Sequence, residues 1–156
     1  NRFATLAAAW ERSAEDASYA FNDLHAIMAF VGAGRIVDAQ RTLKAMRHAA
    51  VGSGDNAYMT GNIGLPAAEA FVAFEAGRYT ECVEKITAAR GLAQRFGGSH
   101  AQRDILTLTA LHAAIKGGLT ATAEAFAAER LAHKPQSPWA GRLARQVLAL
   151  SEKAAA

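Results

Sequence analysis

Ala33-Gly34-Arg35-Ile36 returns 43 residues later as Ala76-Gly77-Arg78-Tyr79. An apolar stretch of helical period stands on either side of each string. Gly117 follows 40 residues after Gly77, again between two helical faces. Periods of this length, each holding two antiparallel helices, are the signature of an α-solenoid. One helix pair cannot bury its apolar face alone, so pairs stack. The expected fold is therefore all-α: about seven helices in antiparallel pairs, forming a right-handed solenoid segment.

Working outward, Phe3, Leu6 and Trp10 mark a first helix to about Asp16. Leu24, Ile27, Met28 and Val31 follow the i, i+3, i+4, i+7 pattern of one buried face. Ile36, Ala39, Leu43 and Met46 mark the partner helix. Val51–Gly64 carries four glycines and two asparagines and reads as the longest loop. Leu65-Pro66 opens the next unit, with proline suited to a first helical turn. Phe71 and Phe74 lie on its face. Tyr79, Cys82, Ile86, Ala89, Ala93 and Phe96 then predict one long partner helix, stopped by Gly97-Gly98. Ser99 and Gln102 fit a capping box. Ile105, Leu108, Leu111 and Ile115 form the next face; Leu119, Ala123 and Phe126 form its partner. Ser137-Pro138 reads as an N-cap with a first-turn proline, opening a last helix through Trp139, Leu143, Val147 and Leu150. The tail Ala154–Ala156 is expected to fray. The units run over about 20–50, 64–97 and 99–135, with a final helix at 138–153, in one domain spanning 1–156.

The composition agrees. Of 156 residues, 51% are hydrophobic, and 39 are alanine, the best helix former and a poor strand former. The longest uncharged apolar runs, Leu24–Gly34 and Ile105–Ile115, span 11 residues each, too short to cross a membrane. A net charge of +3 without a basic run leaves no nucleic-acid footprint. The single cysteine, Cys82, has no intrachain disulfide partner, which fits a reducing, cytoplasmic setting. Asn1–Trp10 lacks the form of a signal peptide. The absence of an initiating Met suggests a piece of a longer chain.

The enzyme-like strings weaken on inspection. Gly32-Ala33-Gly34 resembles a dinucleotide-binding turn, and Asp55 falls about 20 residues on, as that motif asks. Yet Val37 stands where a third small residue is needed, and the preceding residues have helical period. No two of His25, His48, His100, His112 and His133 sit at i, i+4, so no zinc site is expected. P-loop, HExxH and hydrolase-elbow patterns are missing. No cofactor or metal is called for. Cys82, at a small-residue position, reads as a packing residue.

After each turn glycine, an apolar residue at +2 (Ile36, Tyr79, Leu119) and a small one at +5 (Ala39, Cys82) fit the tetratricopeptide pattern. The third unit departs: Thr122 lies at +5 from Gly117, and Ala123 fits only when Gly118 is the reference. Longer motifs stand in order: Phe21-Asn22-Asp23-Leu24-His25, Gly64-Leu65-Pro66, Gly97-Gly98-Ser99-His100-Ala101-Gln102-Arg103-Asp104, and Glu129-Arg130-Leu131-Ala132-His133-Lys134-Pro135-Gln136-Ser137-Pro138. Over about residues 20–150 the chain resembles the C-terminal part of the tetratricopeptide repeat protein 38 family. The resemblance implies an α-helical repeat scaffold and no established reaction or ligand.

In a solenoid the first helices of successive units line one concave surface. Asn22, Asp23 and His25 begin one such helix; Gln102, Arg103 and Asp104 begin another two units on. Arg103 is placed to pair with Asp23 or with a ligand carboxylate, and His112 lies further along the same helix. These seven residues are the candidate partner or ligand site. Capping and an ion pair that fixes packing explain the same residues. The expected function is a non-enzymatic scaffold binding a protein or peptide on its concave face. The rival is a small-molecule or enzymatic site completed by an absent N-terminal part. A third reading is self-association through exposed solenoid ends.

Overall fold

The computed structural model describes residues 2–95 and 97–155. Its elements are α1 (Arg2–Trp10), a 3-10 turn (Glu11–Ser13), α2 (Ala20–Gly32), α3 (Ile36–Ala50), α4 (Asp55–Met59), a π turn (Thr60–Gly64), α5 (Leu65–Glu75), α6 (Tyr79–Arg90), a second 3-10 turn (Ala93–Arg95), α7 (His100–Lys116), α8 (Thr120–His133) and α9 (Pro138–Ala155). No strand occurs among the described residues. The sequence before Gly32-Ala33-Gly34 is helix α2, so a strand-first dinucleotide turn is excluded there.

The two-helix junctions are three copies of one turn. Gly34, Gly77 and Gly118 adopt φ of +73°, +75° and +67°. The following Arg35, Arg78 and Leu119 have φ/ψ of −86°/62°, −84°/69° and −83°/70°. Their N–H groups donate back to Phe30, Ala73 and Ala114 at 2.8, 2.9 and 2.9 Å. Their carbonyls accept from Ala39, Cys82 and Ala123, the first-turn residues of the next helix, at 3.2, 3.1 and 2.9 Å. This is a Schellman-type stop, with glycine in the left-handed position, joined to a new helix start. The third counterpart is thus Gly118 and not Gly117. Leu119 therefore stands at +1, with Thr120 at +2. Gly117 serves another purpose: a Cβ there would lie 2.9 Å from Tyr79 Cβ. Ala39, Cys82 and Ala123 at +5 are all fully buried.

Two expectations fail in the segment before α5 and the one after α6. The expected loop at Val51–Gly64 is helical from Asp55, and α4, the π turn and α5 run on as one rod. That makes eight helical rods among the described residues, where about seven were expected. Burial outweighs glycine's propensity cost of about 1 kcal/mol: Ala57, Thr60, Ile63 and Gly64 are buried, and the rod packs on α3. Leu65 N–H donates to the Thr60 carbonyl, five residues back. This wider turn relieves the clash that the Pro66 ring would make with a carbonyl four residues earlier. The long helix expected from Tyr79 to Phe96 ends at Arg90. Gly91 and a 3-10 turn follow, and Phe96 lies outside the described residues, as does Ala156.

Each helix packs chiefly on its neighbours in sequence: α1 on α2, α2 on α3, α5 on α6, α6 on α7, α7 on α8 and α8 on α9. In addition α2 packs on α5. Alanine makes the close approach possible: Ala26 and Ala29 on α2, Ala67, Ala68, Ala70 and Ala73 on α5, and Ala110, Ala113 and Ala114 on α7 are all buried. On α2 the buried face is therefore wider than the stripe read from the larger residues. Met28 and Val31 are half-buried, while Ala26, Ala29 and Phe30 lie inside.

Single carboxylates pin the pairs. Glu69 of α5 takes Arg47 of α3 and Lys85 of α6, both at 2.7 Å. Asp104 of α7 takes Arg130 and Lys134.

Candidate functional site

The first turn of α7 is built by its cap. Ser99 Oγ accepts from the Gln102 N–H at 3.3 Å, and Gln102 Oε1 accepts from the Ser99 N–H at 2.8 Å. The expected capping box is present. Arg103 folds back over the preceding loop. Its Nη1 donates to the carbonyls of Gly97, at 3.2 Å, and Gly98, and its Nη2 lies 3.3 Å from His100 Nδ1. That loop seats on the start of α2. A Cβ at Gly98 would fall 2.5 Å from the Phe21 ring. Phe21 in turn stacks on His25, with centroids 4.4 Å apart, and His25 Nδ1 donates to the Phe21 carbonyl at 2.8 Å.

The starts of α2 and α7 are thus brought together. Leu24, His25 and Met28 face Gln102, Arg103 and Ile105 across a crevice of about 10 Å³, room for one water at most. The remaining candidates go elsewhere. Asn22 is exposed. Asp23 is 6% exposed, and its Oδ2 has no hydrogen-bond partner among the described residues. Burial, and then the charge of Asp16, push its carboxyl up to about 6. Arg103, on the loop carbonyls, makes no pair with Asp23. His112 lies by Trp139, centroids 6.4 Å apart, and burial, then the charges of Lys116 and Arg130, lower its pKa.

Asp104 belongs to a larger cleft. Arg130 reaches its two oxygens at 2.9 and 3.1 Å, and Lys134 adds a third contact at 2.6 Å. Burial raises the Asp104 pKa, but these hydrogen bonds outweigh it and hold the carboxyl below its ordinary range. Arg130 also lies over the Trp139 ring of α9, at 5.2 Å. Around this group a cleft of about 560 Å³ opens between the end of α6, the start of α7 and the end of α8. Arg90, Arg103, Arg130 and Lys134 line it against only two carboxylates, Asp104 and Glu129. Arg90 Nη1 sits 2.8 Å from both Glu129 oxygens. The sequence reading missed Arg90, Glu129, Arg130 and Lys134 as site residues. One signal for Arg130 was available: it follows Ala123 by seven and Phe126 by four, which puts it on the buried face of α8.

Cys82 is buried, and burial, then Glu81, push its thiol up to about 11, far from a reactive thiolate. Among the described residues no three His, Cys, Asp or Glu side chains gather as metal ligands. Among the described residues no helix is long and apolar enough to cross a membrane. No family model matches the chain, and no solved structure matches it.

Proposed function

We propose that the chain is a segment of a helical-repeat scaffold that binds a protein or peptide in the cytoplasm; its resemblance to the tetratricopeptide repeat protein 38 family supports the repeat fold. In this reading α2, α5 and α7 are the first helices of three stacked units, α3, α6 and α8 are their partners, and the whole is a right-handed tetratricopeptide-like solenoid. The observation that carries it is the threefold recurrence of one turn, at Gly34, Gly77 and Gly118, each followed by a buried small residue five positions on. A stack of such units leaves long surfaces between helices, suited to an extended partner.

A photo-crosslinking residue at exposed Asn22 or Gln102 tests the proposal. The scaffold reading expects a discrete protein adduct, lost on competition with a peptide from that protein. Adducts only with other copies of this chain would support self-association instead. The 560 Å³ cleft is within the range of small-molecule sites, and it favours a second reading, a small-ligand site. That reading expects a thermal shift with a metabolite and no protein adduct.

A further inference from the structure

Two hollows adjoin along α6 and α8. One is the cationic cleft. The other, of about 710 Å³, lies between the two helices, floored by Val83 and Phe126 and walled by Thr87, Ala88, Ala121 and Ala125. Arg90 and Glu129 line both hollows, and their ion pair stands at the junction. The cleft holds four Lys and Arg side chains against two carboxylates, a surplus of two positive charges among these groups. Arg130 and Lys134 are committed to Asp104, and Arg90 to Glu129. Arg103 is different: its described contacts are two carbonyls and a ring nitrogen. One of the two surplus charges is therefore that of Arg103, which faces no carboxylate in the cleft; the other belongs to Arg130 and Lys134, which share the single carboxylate of Asp104. The neighbouring groove offers the opposite chemistry. Apart from Glu84 at one edge, its walls are small alanine and threonine side chains, mostly at exposed positions, which leave room for larger apolar groups.

We infer that this composite surface binds an acidic peptide segment, its carboxylates entering the cleft beside Arg103 and its next, apolar side chains lying in the α6–α8 groove. The inference rests on the scaffold reading and names the chemistry of the partner. Charge complementarity selects the acidic end: beside Arg103 a carboxylate makes hydrogen bonds in which both partners are charged, where the loop carbonyls offer only a neutral acceptor. The groove selects the large apolar side chains that adjoin that end. A lone small anion satisfies the cleft and leaves the groove empty.

The test is fluorescence anisotropy with a labelled hexapeptide of three acidic residues and then three large apolar ones, against this chain at low salt. Saturable binding is expected. The same peptide with amides in place of its carboxylates should bind about tenfold more weakly. Arg103→Gln should weaken the acidic peptide about tenfold, and Ala88→Asp, which puts a charge into the groove, should do the same. Both variants must keep wild-type circular dichroism. Should Arg103→Gln lose helicity, Lys134→Gln takes its place. No binding, equal binding of the amide peptide, indifference to both substitutions, or displacement by inorganic phosphate at equal concentration would each overturn the inference. If the hexapeptide fails while crosslinkers at Asn22 or Gln102 still trap a protein, the scaffold survives and this site falls. If both fail, both readings fall.

Discussion

Arg130 meets Asp104 through both of its terminal nitrogens, at 2.9 and 3.1 Å, while the arginine is only 5% exposed. This pair ties α7 to α8, and through the Trp139 ring it reaches α9. A buried ion pair contributes little against an apolar replacement, but breaking it strands a charge. Asp104→Ala should therefore lower unfolding free energy by about 3 kcal/mol. Arg130→Met should cost less, and Arg130→Met with Asp104→Ala less than Asp104→Ala alone. Urea unfolding of the three variants reads the order directly.

Asp23 gives stability the opposite pH dependence from Asp104. Its folded pKa is raised from 3.8 to about 6, so between those values the folded state holds a proton that the unfolded state has released. Its contribution is full below about pH 4 and is lost as pH rises through 6. The loss is about 3 kcal/mol at most. Asp23→Asn should raise the melting temperature at pH 7 and change it little at pH 4. Asp104, held low, contributes stability that disappears as pH falls below the ordinary carboxylate range. Melting curves across pH 3–8 for wild type and Asp23→Asn separate the two.

The turn glycines should be separable from the other glycines by one methyl group. At Gly77 a Cβ meets no atom within 4 Å, so Gly77→Ala is opposed by backbone alone, at φ of +75°. A loss of about 1 kcal/mol is expected. Gly91 has open space too, but an ordinary helical φ of −62°. Gly91→Ala should stabilise by about 0.5 kcal/mol, because it restricts only the unfolded chain. Chemical denaturation of both variants checks the sign of each.

The difference between these two glycines explains what was legible in the sequence. A Schellman turn is local, so its glycine, the helix ends around it and the small residue at +5 could be read from short strings. The capping box of Ser99 and Gln102 was legible for the same reason. The helical stretch from Asp55 was not, because glycine and asparagine give the local signal and the burial of Ile63 that overrides it comes from α2, α3 and α5. The cleft was harder still. Asp104 and Arg130 are 26 residues apart, and nothing within either helix names the other. A pairing of Arg103 with Asp23 or with a ligand carboxylate was readable because both residues begin helices, but the Gly97-Gly98 carbonyls lie nearer to hand.

The π turn carries its own test. Thr60 is fully buried, and its Oγ1 has no hydrogen-bond partner among the described residues. Thr60→Val keeps the shape and removes the unsatisfied hydroxyl. It should stabilise the chain by about 1 kcal/mol. Thr60→Ala, which also removes a methyl group, should gain nothing. Thermal unfolding of the two variants side by side decides it.

The three matched turns also govern how quickly the chain can assemble. Their closing backbone bonds span no more than five residues, so each helical hairpin can shut without waiting for a distant segment. Chains whose contacts are this local fold in microseconds to milliseconds. The slower steps should be those that join one hairpin to the next. The seating of Gly98 on Phe21 belongs among the last, since it must bring residue 98 back to residue 21 across two completed hairpins.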